Sequence, residues 1–187
     1  LVVVIMSLVL ATGLAAAGVW WFTFRPKPGV EPVVYARSVC SGVRDWQRDV
    51  DGQGSALTKS IARLDDLPAV RTQVVTYYTD LAARTDDLRA ALTEAGVPDT
   101  PGGSLYADAL VQVAGEQAAA LRTSAQSAGR LDIRSRTLFQ ISLRTLLTNA
   151  SSAVLEVTDA LAHPLIAIPP DLAAALEADP TCTPYTG

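Results

Sequence analysis

The sequence predicts an all-α protein in which a single N-terminal transmembrane helix is followed by an antiparallel up-down helical bundle of the four-helix type, closed by a disulfide. Three observations predict it. Residues 1–24 carry no charge. Downstream, apolar residues recur at three- and four-residue steps through long segments separated by Gly- and Pro-rich breaks. Two cysteines, Cys40 and Cys182, stand near opposite ends of that downstream stretch. The expected organisation is an anchor at 1–24, a proline-rich linker at 25–32 and an extracytoplasmic helical bundle at 33–187.

The anchor follows from length. Twenty-four helical residues reach roughly 36 Å, against a hydrocarbon core of about 30 Å. Trp20, Trp21, Phe22 and Phe24 cluster just before Arg25 and Lys27, as aromatic rings and snorkelling cations do where a helix leaves a bilayer. Ala15-Ala16-Ala17 also offers a signal-peptidase motif, but an uncleaved signal anchor is the expectation. Cys40 lies too far behind the apolar run for a lipoprotein. No initiator Met precedes Leu1, so an upstream segment is expected, and Arg25 and Lys27 alone would place the downstream side in the cytoplasm. The cysteine pair argues for the opposite face, because disulfides persist in oxidising compartments.

RPKPGVEP reads as a stiff linker that places Pro32 in the first turn of a helix. Ala36, Val39, Cys40, Val43, Trp46 and Val50 then form one stripe of a helix over Val33–Val50. DGQGS predicts a break, with Ser55 capping a short helix through Leu57, Ile61 and Leu64. At Leu67-Pro68 a kink is expected more than a reversal, with Asp66 capping a long helix through Val70, Val74, Tyr77, Leu81, Leu88 and Leu92 to a stop at Gly96. After the loop GVPDTPGG, Ser104 caps a helix carrying Leu110, Val113 and Leu121 to about Gly129. The next helix is expected from Asp132 to Ala162, with Phe139, Leu143, Leu146, Ala150, Val154, Val157 and Leu161 on one face. HPLIAIPP breaks it, and DLAAALEA forms a short last helix. With alternate helices rising and descending, the chain's end returns beside its beginning, so Cys182 should meet Cys40.

Composition excludes several classes. A net charge of −4 with 49% apolar residues fits neither a disordered tail nor a nucleic-acid binder. Thirteen Arg against two Lys, with thirty Ala, reflect an actinobacteria-like, GC-rich genome and carry no function. Glu156, Asp159 and His163 share a helix face, yet the second Glu-x-x-His element of a di-iron bundle is missing. Asp65-Asp66 and Asp86-Asp87 are adjacent in helices and point apart, while Asp80 and Arg84 have ion-pair spacing. Arg130, Arg134 and Arg136 read as a solvated helix start, with partner docking conceivable there. Asn149-Ala150-Ser151 is a chance sequon in mid-helix. No nucleophile elbow, Ser-x-x-Lys or phosphate loop occurs, so neither enzyme activity nor a cofactor is expected.

Two apolar features point toward partners. Ser7, Ala11, Ala15 and Gly18 fall on one side of the anchor, a small-residue groove into which another membrane helix can pack. Leu165, Ile166 and Ile168, locked between prolines at the membrane-proximal end, either cap the core or dock onto a partner or lipid. The expected role is an accessory or scaffolding subunit of a larger membrane complex, whether respiratory, transport or envelope-building. Its partners would be other membrane subunits and the bilayer itself, and no nucleic acid. The alternative is a ligand-binding or sensor module holding an apolar molecule between helices.

Overall fold

The computed structural model describes residues 29–62, 66–162 and 167–182, with side chains described except at 149–158 and 160–162. Among these residues five helices are formed: α1 Pro32–Ile61, α2 Leu67–Glu94, α3 Gly103–Gly129, α4 Arg136–Ala162 and α5 Pro170–Ala178. Among the described residues no helix is long and apolar enough to cross a membrane. The expected anchor at 1–24, with its groove of Ser7, Ala11, Ala15 and Gly18, lies outside them, as do Leu165 and Ile166.

Pro32 starts α1, and Ala36, Val39, Cys40, Val43, Trp46 and Val50 are buried as one stripe with Tyr35 and Leu57. The expected break at DGQGS does not occur, and α1 runs through it. Each glycine weakens a helix by about 1 kcal/mol relative to Ala. Burial of Val50 and Leu57, on the same side two turns apart, outweighs that local preference. Consequently the chain turns back between Ala62 and Asp66, where only a kink was expected. α1 and α2 are antiparallel: the Ser60 hydroxyl donates to Gln73 Oε1, Trp46 faces Thr85, and at the far end the Val30 N–H donates to the Val97 carbonyl at 2.8 Å.

Asp66 takes the N-cap position of α2 with extended backbone, though its side chain makes no capping bond. The buried stripe of α2 includes Val70, Val74, Leu81, Leu88 and Leu92 as expected, with Tyr78 rather than Tyr77 at its centre. Gly96, at φ 81°, closes the helix. The following loop is stitched to the linker by a second bond, Asp99 N–H to the Val30 carbonyl at 2.7 Å. Gly102, at φ 82°, caps α3 in place of the expected Ser104, which lies inside the helix. At Gly103 a Cβ would sit 2.3 Å from the Pro98 carbonyl oxygen, so only glycine lets the loop close onto the helix start.

α3 packs along α2 over its small residues, burying Ala107, Ala114, Ala118 and Ala128 beside Tyr106, Leu110 and Leu121, while Val113 is half-buried. α4 starts at Arg136, not Asp132. The Asp132 carboxylate instead accepts the Arg134 N–H at 2.8 Å in a local turn, and the Ser135 hydroxyl accepts the Leu138 N–H at 3.4 Å at the helix start. α4 packs chiefly on α3 through buried Phe139 and half-buried Leu143 and Leu146. α5 packs on α1. The up-down order therefore brings the start of α1, the α2–α3 loop and α5 to one end, the linker end, and leaves the α3–α4 turn at the other.

Candidate functional site

The linker end is closed by a small polar clamp and a disulfide. In the turn after α5 the Asp179 carboxylate accepts the Thr181 hydroxyl at 2.6 Å and the Thr181 N–H at 2.9 Å. It also pairs with Arg37 Nε at 3.2 Å. Those Thr181 donors, followed by Arg37, hold its carboxyl below the usual carboxylate range. The same turn has the Cys182 N–H donating to the Asp179 carbonyl at 3.0 Å. It delivers Cys182 to Cys40, one helical turn from Arg37, where the two form the expected disulfide with Cα atoms 5.1 Å apart. Asp179 was not singled out in the sequence, although Asp-Pro-Thr is a turn signal.

Beside this clamp the Tyr35 and Tyr106 rings meet edge-on, with centroids 6.5 Å apart. Burial raises Tyr35, helped by Tyr106 and Asp108, and burial pushes Tyr106 up to about 12. Both stay protonated phenols at neutral pH. Of the expected docking trio, Ile168 is half-buried against the core, and Pro169 next to it is buried and lies near Gly102.

Between α1 and α2, in the half of the hairpin away from the linker, an open cleft of about 340 Å³ is lined by Gln53, Leu57, Ser60, Gln73, Tyr77 and Asp80 among others. The Gln53 Oε1 atom is buried there without a hydrogen-bond partner. Ion pairs join α1, α2 and α3 farther along: Arg84 meets Asp49 at 3.9 Å and Asp87 at 3.7 Å, and Arg122 meets Asp86. Arg84 thus serves Asp49 and Asp87 rather than the Asp80 that helical spacing suggested. Among the described residues no group of three His, Cys, Asp or Glu is placed to hold a metal ion. The Glu156 side chain and His163 lie outside the described set.

The far end carries the feature that stands out most. Leu138 and Ile141, in the first two turns of α4, are 55% and 61% exposed. They lie three residues apart and so share an outward face, continued by Thr145. Arginines surround that face: Arg130, Arg134 and Arg136 at the turn and Arg144 on the helix. Residues 130–148 contain four Arg and one Asp, a net +3, so the rest of this −4 chain carries −7. Among the described residues Arg130, Arg134 and Arg144 enter no ion pair with a carboxylate, and the Arg130 guanidinium donates to the Ser127 hydroxyl at 3.3 Å. An open groove of about 570 Å³ runs alongside, lined by Gln140, Leu143, Arg144, Leu147 and Thr148. Sequence reading found the arginines and missed Leu138 and Ile141. Their signal was two large apolar residues falling off the stripe set by Phe139, Leu143 and Leu146.

No family model, no curated protein and no solved structure matches the chain.

Proposed function

We propose that the chain is a single-pass membrane-anchored accessory subunit of a larger membrane complex, with the bundle outside the cytoplasm and no catalysis of its own. The Cys40–Cys182 bond supports the compartment, since such bonds persist where the environment oxidises thiols. The observation that carries the role is the α4 face: Leu138 and Ile141 are exposed in a stretch, residues 130–148, that carries a net +3 in an acidic chain. Arginine is enriched at binding hot spots, and exposed apolar side chains beside it supply contact area that a partner would bury. The matching occupant is a partner protein with an acidic rim around an apolar patch, because the charges then attract and orient it. A lipid occupant fits poorly, as this face lies about 40 Å from the linker end along α1 and α2.

A photo-crosslinking residue at Ile141 of the full chain, in the cells that make it, tests the proposal. The expected product is an adduct to another protein whose linked segment is acidic, and Arg134→Glu with Arg144→Glu should cut its yield several-fold. Adducts only to lipid, only to a second copy, or none at all would sink it. The α1–α2 cleft favours a second reading as a ligand-binding module, since its volume is within the range of small-molecule sites and it holds an unpartnered acceptor. Filling it by Ala56→Leu, at a residue that lines the cleft, should leave the crosslink intact if docking is the function.

A further inference from the structure

We infer that the linker end of the bundle rests on the bilayer and places Val33, Val34, Val97 and Leu105 in its interfacial region, an inference that rests on reading residues 1–24 as an anchor. Six large apolar side chains are exposed among the described residues, and these four, at 44–60% exposure, share one end. Val33 and Val34 lie in the first turn of α1. Val97 is bonded to Val30, and Leu105 is in the first turn of α3 beside Tyr106, whose ring meets Tyr35. All four therefore lie near Gly29, where the described chain begins.

Direction comes from helix geometry. In an α-helix every Cα–Cβ bond tilts toward the N-terminus, and both α1 and α3 start at the linker end. Val33, Val34 and Leu105 thus lean toward the side on which the anchor attaches. On α4 the same rule turns Leu138 and Ile141 toward the opposite end. Distance agrees, because from Phe24 to Gly29 the chain spans at most roughly 18 Å when fully extended. The end of the bundle cannot stand far from the headgroups, where exposed apolar side chains lose contact with water by dipping in. Charge decides the kind of lipid. Glu31, Glu94 and Asp99 are exposed at this end and offset the cations of the linker, Arg25 and Lys27, so anionic headgroups bring no net attraction and a zwitterionic surface is the fitting occupant.

The test uses the full chain reconstituted in phosphatidylcholine vesicles, with Leu105→Cys carrying a fluorophore and a nitroxide on the lipid headgroups. Because the native cysteines are bonded to each other, the label goes to the added thiol. Val34→Cys supplies a second probe and Ile141→Cys the distant control. Quenching at 105 and 34 should exceed that at 141 several-fold and persist in high salt. If the protein floats with the vesicles while all three positions quench equally, the anchor stands and the contact is refuted. If it does not float, the anchor reading fails and takes this inference with it.

Discussion

Replacing both Cys40 and Cys182 by Ala should cost the bundle most of what its longest cross-link supplies. The bond joins residues 142 positions apart, and a closed loop of that length lowers the entropy of the unfolded chain by an amount worth about 5 kcal/mol at 25 °C. Native strain subtracts from this figure. Both side chains are fully buried, so their truncation adds a small packing loss. For a domain of about 150 residues each kcal/mol shifts the melting temperature by roughly 2–4 °C, which predicts a fall of about 10–20 °C. The structure also predicts its form. α5 packs on α1, so the cross-link and the Asp179 clamp are what hold the last turn in place. An early, shallow loss of helix should precede the main transition. Circular dichroism melts of the full chain in detergent, beside the unreduced wild type, read both effects. A melting temperature within about 3 °C of wild type would refute the reasoning, and so would complete alkylation of both thiols in unreduced, denatured protein.

The buried Thr85 hydroxyl accepts the Trp46 indole N–H at 3.2 Å and donates to the Leu81 carbonyl at 2.9 Å. Thr85→Val keeps the shape but strands the indole, and should destabilise by about 1–3 kcal/mol in urea titrations; an unchanged midpoint would show that the indole finds another partner. Gly103→Ala puts a methyl against the Pro98 carbonyl and should cost about 1–3 kcal/mol as the α2–α3 loop shifts, whereas a neutral result would mean that the loop yields freely. Asp179 has a native pKa below its unfolded value, so its stabilising effect is present above about pH 4 and is lost as pH falls through the lowered native value. Asp179→Asn should therefore melt below wild type at neutral pH, with the gap closing in acid, and a gap independent of pH would contradict the clamp.

Burial was legible where one physical rule acted alone. Every residue of the first expected stripe, from Ala36 to Val50, is buried, because helical periodicity and the core ask the same of it. The meeting of Cys40 and Cys182 followed from counting reversals, and it survived an error in locating one of them. Moving the first turn from DGQGS to the segment before Asp66 merges the expected short helix into α1 without changing the number of reversals. Glycine misled because its penalty is local and small, while the packing that overrode it depends on a partner helix no local pattern reveals. The cap at Gly102 and the start at Ser135 were missed for a similar reason: several residues in each loop can cap, and loop closure chooses between them. Leu138 and Ile141 fall off the stripe that Phe139, Leu143 and Leu146 set, so their side of the helix was legible in the sequence, while their exposure depended on no other helix packing there.

The two ends of the bundle constrain what a partner can be. α1 alone has 30 residues, a rod of about 45 Å. If the linker end rests on the bilayer, the arginine-flanked face of α4 stands roughly that far above it. On the proposed anchoring, a membrane partner that engages both the expected groove of Ser7, Ala11, Ala15 and Gly18 and the α4 face must therefore carry an extramembrane domain at least as tall. A partner confined to the bilayer can use the groove alone, and a soluble acidic protein can use α4 alone. Substituting one surface at a time separates these cases. Ala11→Leu with Ala15→Leu obstructs close helix packing and leaves the bundle's surface unchanged. Arg134→Glu with Arg144→Glu reverses two charges on α4 and leaves the anchor unchanged. Loss of one shared partner by either pair points to a single tall neighbour. Loss of different partners points to a chain that bridges a membrane subunit and a soluble one, which is what the separation of its two surfaces best suits.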